Sequence, residues 1–278
     1  MRKMKIVADS SANLLALDAV TFSSAPMKVI TADREFVDSE DLDLEGMLRY
    51  FDQYKGKSQT SCPNTGDWLE AFGDADDVFC VTITSGLSGS YNSACAARDL
   101  YEAENPGRRV YVIDSLSAGP ELTLIEEKLE DMILRGCTYE EICEEIPNYL
   151  QKTGLIFMLE SLKNFAANGR VAPAVAKIAG VLGIRIVGKA SDVGTLEPTN
   201  KCRGELKSLE TLVAKLKGYG MKKGKIQIAH CQNESAANKI KEMILAALPN
   251  VKVKIAVNRG LCSYYAEKGG LLIGFEKF

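Results

Sequence analysis

The chain has 278 residues, 46% of them hydrophobic and 26% charged, a mix that supports one or two packed cores and excludes a disordered chain. Its net charge is −3 and its cations gather only in short runs such as Lys222, Lys223 and Lys225, which argues against a nucleic-acid partner, whose phosphates demand a concentrated basic face. Apolar stretches break off before the roughly 18 residues of a spanning helix, and Met1-Arg2-Lys3-Met4 leads into a strand-like run without a secretory h-region, so a cytoplasmic protein with no membrane span is expected.

In chain order, Lys5 to Ala8 reads as a strand and Leu44 to Tyr54 as a helix. Thr65 is placed to cap a short helix through Phe72, with Asp67 in the first turn. Val78 to Ile83 is nearly all apolar and β-branched, the pattern of a strand buried on both faces. A helix over about 88–103, a strand at Val110 to Ile113, and helices near 122–135 and 139–151 follow. Gly136 separates the last two, and Thr138 with Glu141 forms a capping box.

A second half opens with the apolar run Leu155 to Leu159 and continues through helical segments at about 160–167 and 171–182 to a strand at Ile184 to Val187. Asp192-Val193-Gly194 marks a hairpin into Thr195 to Glu197. A helix from Gly204 to Lys217, a strand at Ile226 to Ala229, a helix from Ser235 to Leu248, and strands at Val251 to Ala256 and Leu271 to Phe275 complete the pattern. Helices alternating with apolar strands predict an α/β fold of two lobes, each a mainly parallel sheet with crossover helices and a ligand cleft between them. The boundary is expected near Gly154, giving lobes 1–153 and 154–278.

The eight cysteines form no C-x-x-C pair and several, such as Cys80, Cys95 and Cys143, fall in apolar patterns. They read as small buried hydrophobes of a reducing compartment. With His230 the only histidine, neither a metal site nor a histidine-dependent nucleophile is expected.

Thr82 to Asn92 is the most informative segment. It follows a buried strand and opens a helix, so it sits at the carboxyl edge of a sheet, where open α/β sheets bind ligands. Its glycines admit close backbone approach, its hydroxyls (Thr84, Ser85, Ser88, Ser90) donate, and a helix N-terminus supplies N–H groups for an anion. Gly86-Leu87-Ser88-Gly89-Ser90 nearly matches a nucleophile elbow, but its last position is Ser and only His230 is available as a base. Gln59 to Thr65 forms a second polar cluster, read as an exposed loop in which Pro63 extends Cys62. Asn168-Gly169 makes a tight turn presenting Arg170. Asp9 and Asp114 end two strands at the same sheet edge. There they cap the following helix, bind a metal, or act as acid and base, with Ser88, in an enzyme for a small acidic or phosphorylated metabolite.

Taken in order, Asp9-Ser10-Ser11-Ala12-Asn13-Leu14, Thr60-Ser61-Cys62-Pro63, Ser85 to Tyr91, Ile113-Asp114-Ser115, Asn168-Gly169-Arg170, Lys201-Cys202-Arg203-Gly204 and Gly269-Gly270-Leu271-Leu272 resemble the DegV family over nearly the whole chain. The resemblance implies a long-chain fatty acid bound between two α/β lobes, with no cofactor or metal. It also implies, for some members, service as the carrier subunit of a bacterial fatty-acid kinase. Carried over, Thr60, Ser61 and Ser88, with backbone N–H groups around Gly89, hold the carboxylate, and Arg170 faces the partner kinase. Two departures stand out. The family's common His-Thr-Gly-Pro-Gly is here Tyr265-Ala266-Glu267-Lys268-Gly269-Gly270, which removes a histidine expected near the head group and brings Glu267 or Lys268 close. The usual Gly-Gly-Arg is Asn168-Gly169-Arg170.

Overall fold

Three sheets organise the molecule, whose computed structural model describes residues 2–175 and 183–278. The first has the order β2-β1-β6-β7, built from β1 (Met4–Asp9), β2 (Phe22–Ala25), β6 (Asp77–Thr82) and β7 (Arg109–Asp114), and all its pairings are parallel. Successive side chains on a strand point to opposite faces, and both faces here are covered. Val7, Val78 and Cys80 pack against Trp68 and Phe72 of α2 (Thr65–Phe72) and Ala94 and Ala97 of α3 (Ser90–Glu104). Ile6, Phe79 and Val81 meet Leu122, Ile125 and Leu129 of α4 (Pro120–Leu134) and Ile142 and Ile146 of α5 (Tyr139–Leu150). That double burial is why these strands read as continuous apolar runs.

Helix ends follow local chemistry. α5 starts with the expected box between Thr138 and Glu141. α2 is capped one residue earlier than expected. Asn64 accepts from the Gly66 and Asp67 amides at 2.7 and 3.1 Å, while Asp67 accepts from the Asn64 amide at 2.8 Å. Asn is as good an acceptor as Thr at this position, and its extended backbone lets Thr65 become the first helical residue.

A small antiparallel sheet, order β4-β3-β5, joins β3 (Lys28–Ile30), β4 (Glu35–Val37) and β5 (Gln59–Ser61), with α1 (Leu44–Gln53) between β4 and β5. The expectation of a loop over Gln59 to Thr65 is therefore corrected. Gln59 to Ser61 is a strand, with Thr60 opposite Val29, and Pro63 is buried.

The second large sheet has the order β10-β9-β8-β13-β11-β12: β8 (Thr153–Leu159), β9 (Ile184–Ala190), β10 (Leu196–Arg203), β11 (Gly224–His230), β12 (Val251–Val257) and β13 (Leu271–Glu276). A mainly parallel sheet was expected here. Instead the pairs β10–β9, β9–β8, β8–β13 and β13–β11 run antiparallel, and only β11–β12 is parallel. The cause is connectivity. β9 and β10 form a hairpin, and β13 inserts between β8 and β11 against both. The one crossover unit is β11–α8–β12, with α8 at Glu234–Ala247. One face packs on α8 and α7 (Glu205–Gly218) through Ile156, Met158, Leu212, Ile240 and Ile273. The other carries Leu155, Phe157, Leu159 and Leu272, facing α9 (Gly260–Ala266). Between β8 and β9, α6 spans Lys163–Ala167. Residues 173–175 are helical too, and the remainder of the helix expected at 171–182 lies outside the described residues.

α4 packs on both large sheets. A Cβ at Gly274 of β13 would lie 2.5 Å from the Glu121 amide nitrogen and the Pro120 carbonyl carbon, so only glycine admits α4 this closely. Farther along, Glu127 accepts from Lys225 Nζ at 2.7 Å, Gln227 Nε2 at 2.8 Å and Lys254 Nζ at 2.8 Å on β11 and β12. Among the described residues no helix is long and apolar enough to cross a membrane.

Candidate functional site

At the carboxyl edge of the parallel sheet, Asp9 organises the loop between β6 and α3. Its fully buried carboxylate accepts from Ser11 Oγ at 2.5 Å, the Ser11 amide at 3.2 Å, the Ile83 amide at 2.8 Å and Ser90 Oγ at 2.6 Å. Burial pushes this carboxyl's pKa up, while the four hydrogen bonds pull it the other way. Asp114 accepts from the Ser85 amide at 3.0 Å and the Leu116 amide at 3.2 Å. Asp9 thus caps only the short 3₁₀ turn Ser10–Ala12, Asp114 holds loop amides, and together they pin Ile83 to Ser90.

The pinned loop leads into α3 with Gly89 at the N-cap position, which offers no side-chain acceptor to the first-turn N–H groups. Ser88 Oγ accepts from the Ser90 amide at 3.2 Å. His230, the only histidine, sits buried at the end of β11, where its Nδ1 accepts from the Asn233 amide at 3.4 Å, and burial lowers its pKa. Among the described residues no hydrogen bond joins it to Ser88.

A cavity of about 300 Å³ opens beside this loop, walled by it, by β5 of the small sheet and by the second large sheet. Thr60, Ser61, Ser88, Gly89 and Arg170 all line it, so every residue expected to hold the carboxylate reaches one space. Their convergence is visible in pairwise contacts. Thr60 Oγ1 lies 2.8 Å from Tyr265 OH, a Cβ at Gly89 would stand 3.5 Å from Cys62 Sγ, and Arg170 Nε donates to the Leu87 carbonyl at 3.3 Å. Most of the remaining lining is apolar, with Leu155, Phe157 and Leu159 of β8, Leu196 of β10, Leu261 of α9 and Leu272 of β13, while Lys189 and Thr195 also reach it. The volume falls at the lower end of small-molecule pockets, roughly 300–1,000 Å³, and the lining suits a slender apolar ligand with one anionic end.

Arg170 emerges from the expected Asn-Gly turn. Gly169 adopts a left-handed φ of 72°, the Arg170 amide donates to the Phe165 carbonyl at 2.8 Å, and a guanidinium N–H also reaches the Asn168 carbonyl. Its side chain is half-buried at the junction between the cavity and a larger neighbouring cleft of about 1,400 Å³. Glu267 and Lys268 line that cleft and not the apolar cavity, and Arg170 lines both. Glu267 accepts from Ser161 Oγ at 2.9 Å and the Asn164 amide at 3.2 Å, and burial raises its pKa. The polar group that does enter the cavity from this segment is Tyr265. It was missed because the seven-residue helix Gly260–Ala266 left no readable period in the sequence. Among the described residues no cluster of three or more His, Cys, Asp or Glu side chains is arranged to hold a metal.

Comparison with known proteins matches this architecture from end to end. The chain is 41% identical over 276 residues to a DegV domain-containing protein of Streptococcus pneumoniae (strain ATCC BAA-255 / R6), covering 98% of each. Its fold superposes with a TM-score of 0.97 on a DegV family protein from Eubacterium eligens loaded with heptadecanoic acid, at 46% identity over 99% of this chain and all of that one. The Streptococcus pneumoniae fatty acid kinase (Fak) B3 protein loaded with linoleic acid gives the same score at 41% identity, again over 99% of this chain and 100% of its own. The family model described as "Uncharacterised protein, DegV family" matches residues 3–277, and the chain therefore belongs to the DegV family.

Proposed function

We propose that this protein is a cytoplasmic, non-enzymatic carrier of one long-chain fatty acid. The acyl chain occupies the apolar part of the 300 Å³ cavity, and Thr60, Ser61, Ser88 and the N–H groups around Gly89 hold its carboxylate. The observation that carries this reading is the gathering of hydroxyls and a helix start with Gly89 at its N-cap around one cavity that leucine and phenylalanine also line. The fatty acids in the Eubacterium eligens and Streptococcus pneumoniae structures support it. Residues 1–153 and 154–278 act as two lobes closing on the ligand. Arg170, at the head-group side of the cavity mouth, faces a partner fatty-acid kinase that phosphorylates the carboxylate. The kinship with a fatty acid kinase B3 protein favours that partner.

Magnitudes rank the contributions. Burying about 14 methylenes at ~0.8 kcal/mol each gives roughly 11 kcal/mol before the cost of association. A hydrogen bond to a charged group contributes about 1.5–3 kcal/mol. Acyl burial therefore dominates affinity, and the hydroxyls fix which end points outward. An enzyme working through Asp9 or Asp114 fits less well, because both carboxylates are committed to loop amides and hydroxyls. Mass spectrometry of freshly purified protein, native and after organic extraction, tests the carrier reading. A fatty acid at near one per chain is the expected result. A clean apo mass with no uptake of added fatty acid would sink it.

A further inference from the structure

The cavity has a second polar end. Its lining follows β8 from Leu159 through Phe157 to Leu155, a span of about 13 Å. At the Leu159 end stand α6, which follows β8, and Phe165, packed on Tyr265 with ring centroids 4.7 Å apart. At the other end the β9–β10 hairpin closes the space, with Lys189 opposite Ile156 and Leu196 opposite Ala190. The loops after β6 and β7 meet the hairpin there. A Cβ at Gly194 would stand 3.0 Å from Leu116 Cα, and the Thr84 amide donates to the Ser117 carbonyl at 2.8 Å.

Two hydroxyl residues line this far end. Thr84 Oγ1 accepts from the Gly86 amide at 3.0 Å, which leaves its proton to donate. Ser117 is 2% exposed, and its Oγ has no hydrogen-bond partner among the described residues. Glu121 lies behind this wall and does not line the cavity. Burial raises its pKa and the neighbouring Ser117 hydroxyl lowers it, but the two are not placed for a full hydrogen bond. A buried hydroxyl left unpaired is costly. A plain alkyl tail offers it nothing, whereas a hydroxyl on the acyl chain fits whichever way the Ser117 proton turns. Lys189 also reaches this end, but its ammonium lies 3.4 Å from Glu197 and supplies no free charge for a second carboxylate.

Resting on the fatty-acid reading above, we infer that the far end of the cavity is a subsite for a hydroxylated acyl chain, with Ser117, assisted by Thr84, as the specificity-determining residue. Ser117 then selects among fatty acids by what the chain carries, and leaves the carboxylate to other groups.

The test is titration of delipidated wild type and Ser117→Ala with stearic acid and with monohydroxystearic acids whose hydroxyl is moved stepwise along the chain. In wild type, isomers that bring the hydroxyl to Ser117 should bind at least as tightly as stearic acid. Isomers that leave it among the leucines should bind roughly tenfold or more weakly. Ser117→Ala should weaken the favoured isomers roughly tenfold and change stearic acid by less than about twofold. The ranking in wild type stands by itself if the variant does not fold, which its thermal unfolding reports. Rejection of every isomer alike by wild type overturns the inference. Full retention of the favoured isomers by Ser117→Ala overturns it too, as does an equal loss of stearic and hydroxystearic acids, which would make Ser117 a residue that only shapes the cavity. Failure of the wild type to bind stearic acid or any isomer instead removes the fatty-acid reading on which the inference stands.

Discussion

Ser88 Oγ accepts from the Ser90 amide, which leaves its own proton free to donate into the cavity. Ser88→Ala removes that donor and leaves the apolar wall untouched. The expected outcome is fatty-acid binding weakened by about 1.5–3 kcal/mol and still measurable by titration; complete loss of lipid from a folded variant would show that the head group, and not the chain, carries the affinity. Glu126 is a different case. Its side chain is fully buried in α4, and neither carboxyl oxygen has a hydrogen-bond partner among the described residues. Burial pushes its pKa well above the ordinary 4.5, and the nearby Asp9 and Glu127 charges push the same way. A carboxyl raised in the folded state contributes stability that is fully present below pH 4.5 and is lost as the pH rises through the folded value. Glu126→Met should therefore stabilise the protein by about 1–3 kcal/mol at neutral pH and flatten the fall in stability above pH 5, both read from urea unfolding across a pH series. A destabilised variant with an unchanged pH slope would refute this account.

Among the elements, the long strands are legible because their chemistry is local. Val78 to Val81 is apolar on both faces since helices cover both. β3, β4 and β5 have three residues each, too short to show a period, and Thr60 and Ser61 look like loop residues until Val29 is seen opposite. The direction of the second sheet was illegible for a related reason. Ile156 and Met158 pack on one core and Leu155, Phe157 and Leu159 on the other. An antiparallel strand buried on both faces has the same apolar run as a parallel one. Thr60, Ser61, Ser88, Gly89 and Arg170 could be placed from loop chemistry and family likeness, whereas Tyr265 is defined only by a tertiary contact to Thr60 some two hundred residues away.

Two ties beside the cavity can be tested. The β9–β10 turn rests on the loop after β6. Gly194 has a φ of 72°, and a Cβ there would run into Thr84 Oγ1. Gly194→Ala adds left-handed strain of about 1 kcal/mol to that clash, so a lowered melting temperature and faster release of bound lipid are expected, with unaltered retention speaking against the contact. Asp38 anchors α9 by accepting from two buried amides. Asp38→Ala leaves both unpaired, at a cost of about 1–3 kcal/mol each. Urea unfolding should show the loss, and a change under about 0.5 kcal/mol would mean the helix start is held by other groups.

For the whole molecule, a bound fatty acid as proposed would perform the same task as α4. α4 bridges the two large sheets through Gly274 and through Glu127 with its three donors. An acyl chain in the cavity would touch both the loops at the carboxyl edge of the parallel sheet and the second large sheet, contacts that exist only when both are folded. A ligand at about 100 times its Kd stabilises the folded state by about 2.7 kcal/mol. With about 2–4 °C per kcal/mol for domains approaching this size, delipidation should lower the melting temperature by about 5–10 °C. Scanning calorimetry before and after extraction checks this, and identical traces would mean that the cavity contributes nothing to cohesion.

The position of β13 has a consequence during synthesis. Residues 271–276 fill the middle of the second sheet, flanked by β8 and β11, and they follow every other strand in the chain. As the polypeptide leaves the ribosome, β8 and β11 have an open seat between them until this segment emerges. Leu272 and Tyr265, which both line the cavity, lie within seven residues of each other in this late stretch. The parallel sheet can assemble early from neighbouring segments, whereas the cavity closes only once residues 271–276 have emerged. Nascent chains stalled before residue 271 should thus display exposed strand edges that bind chaperones and should capture no lipid.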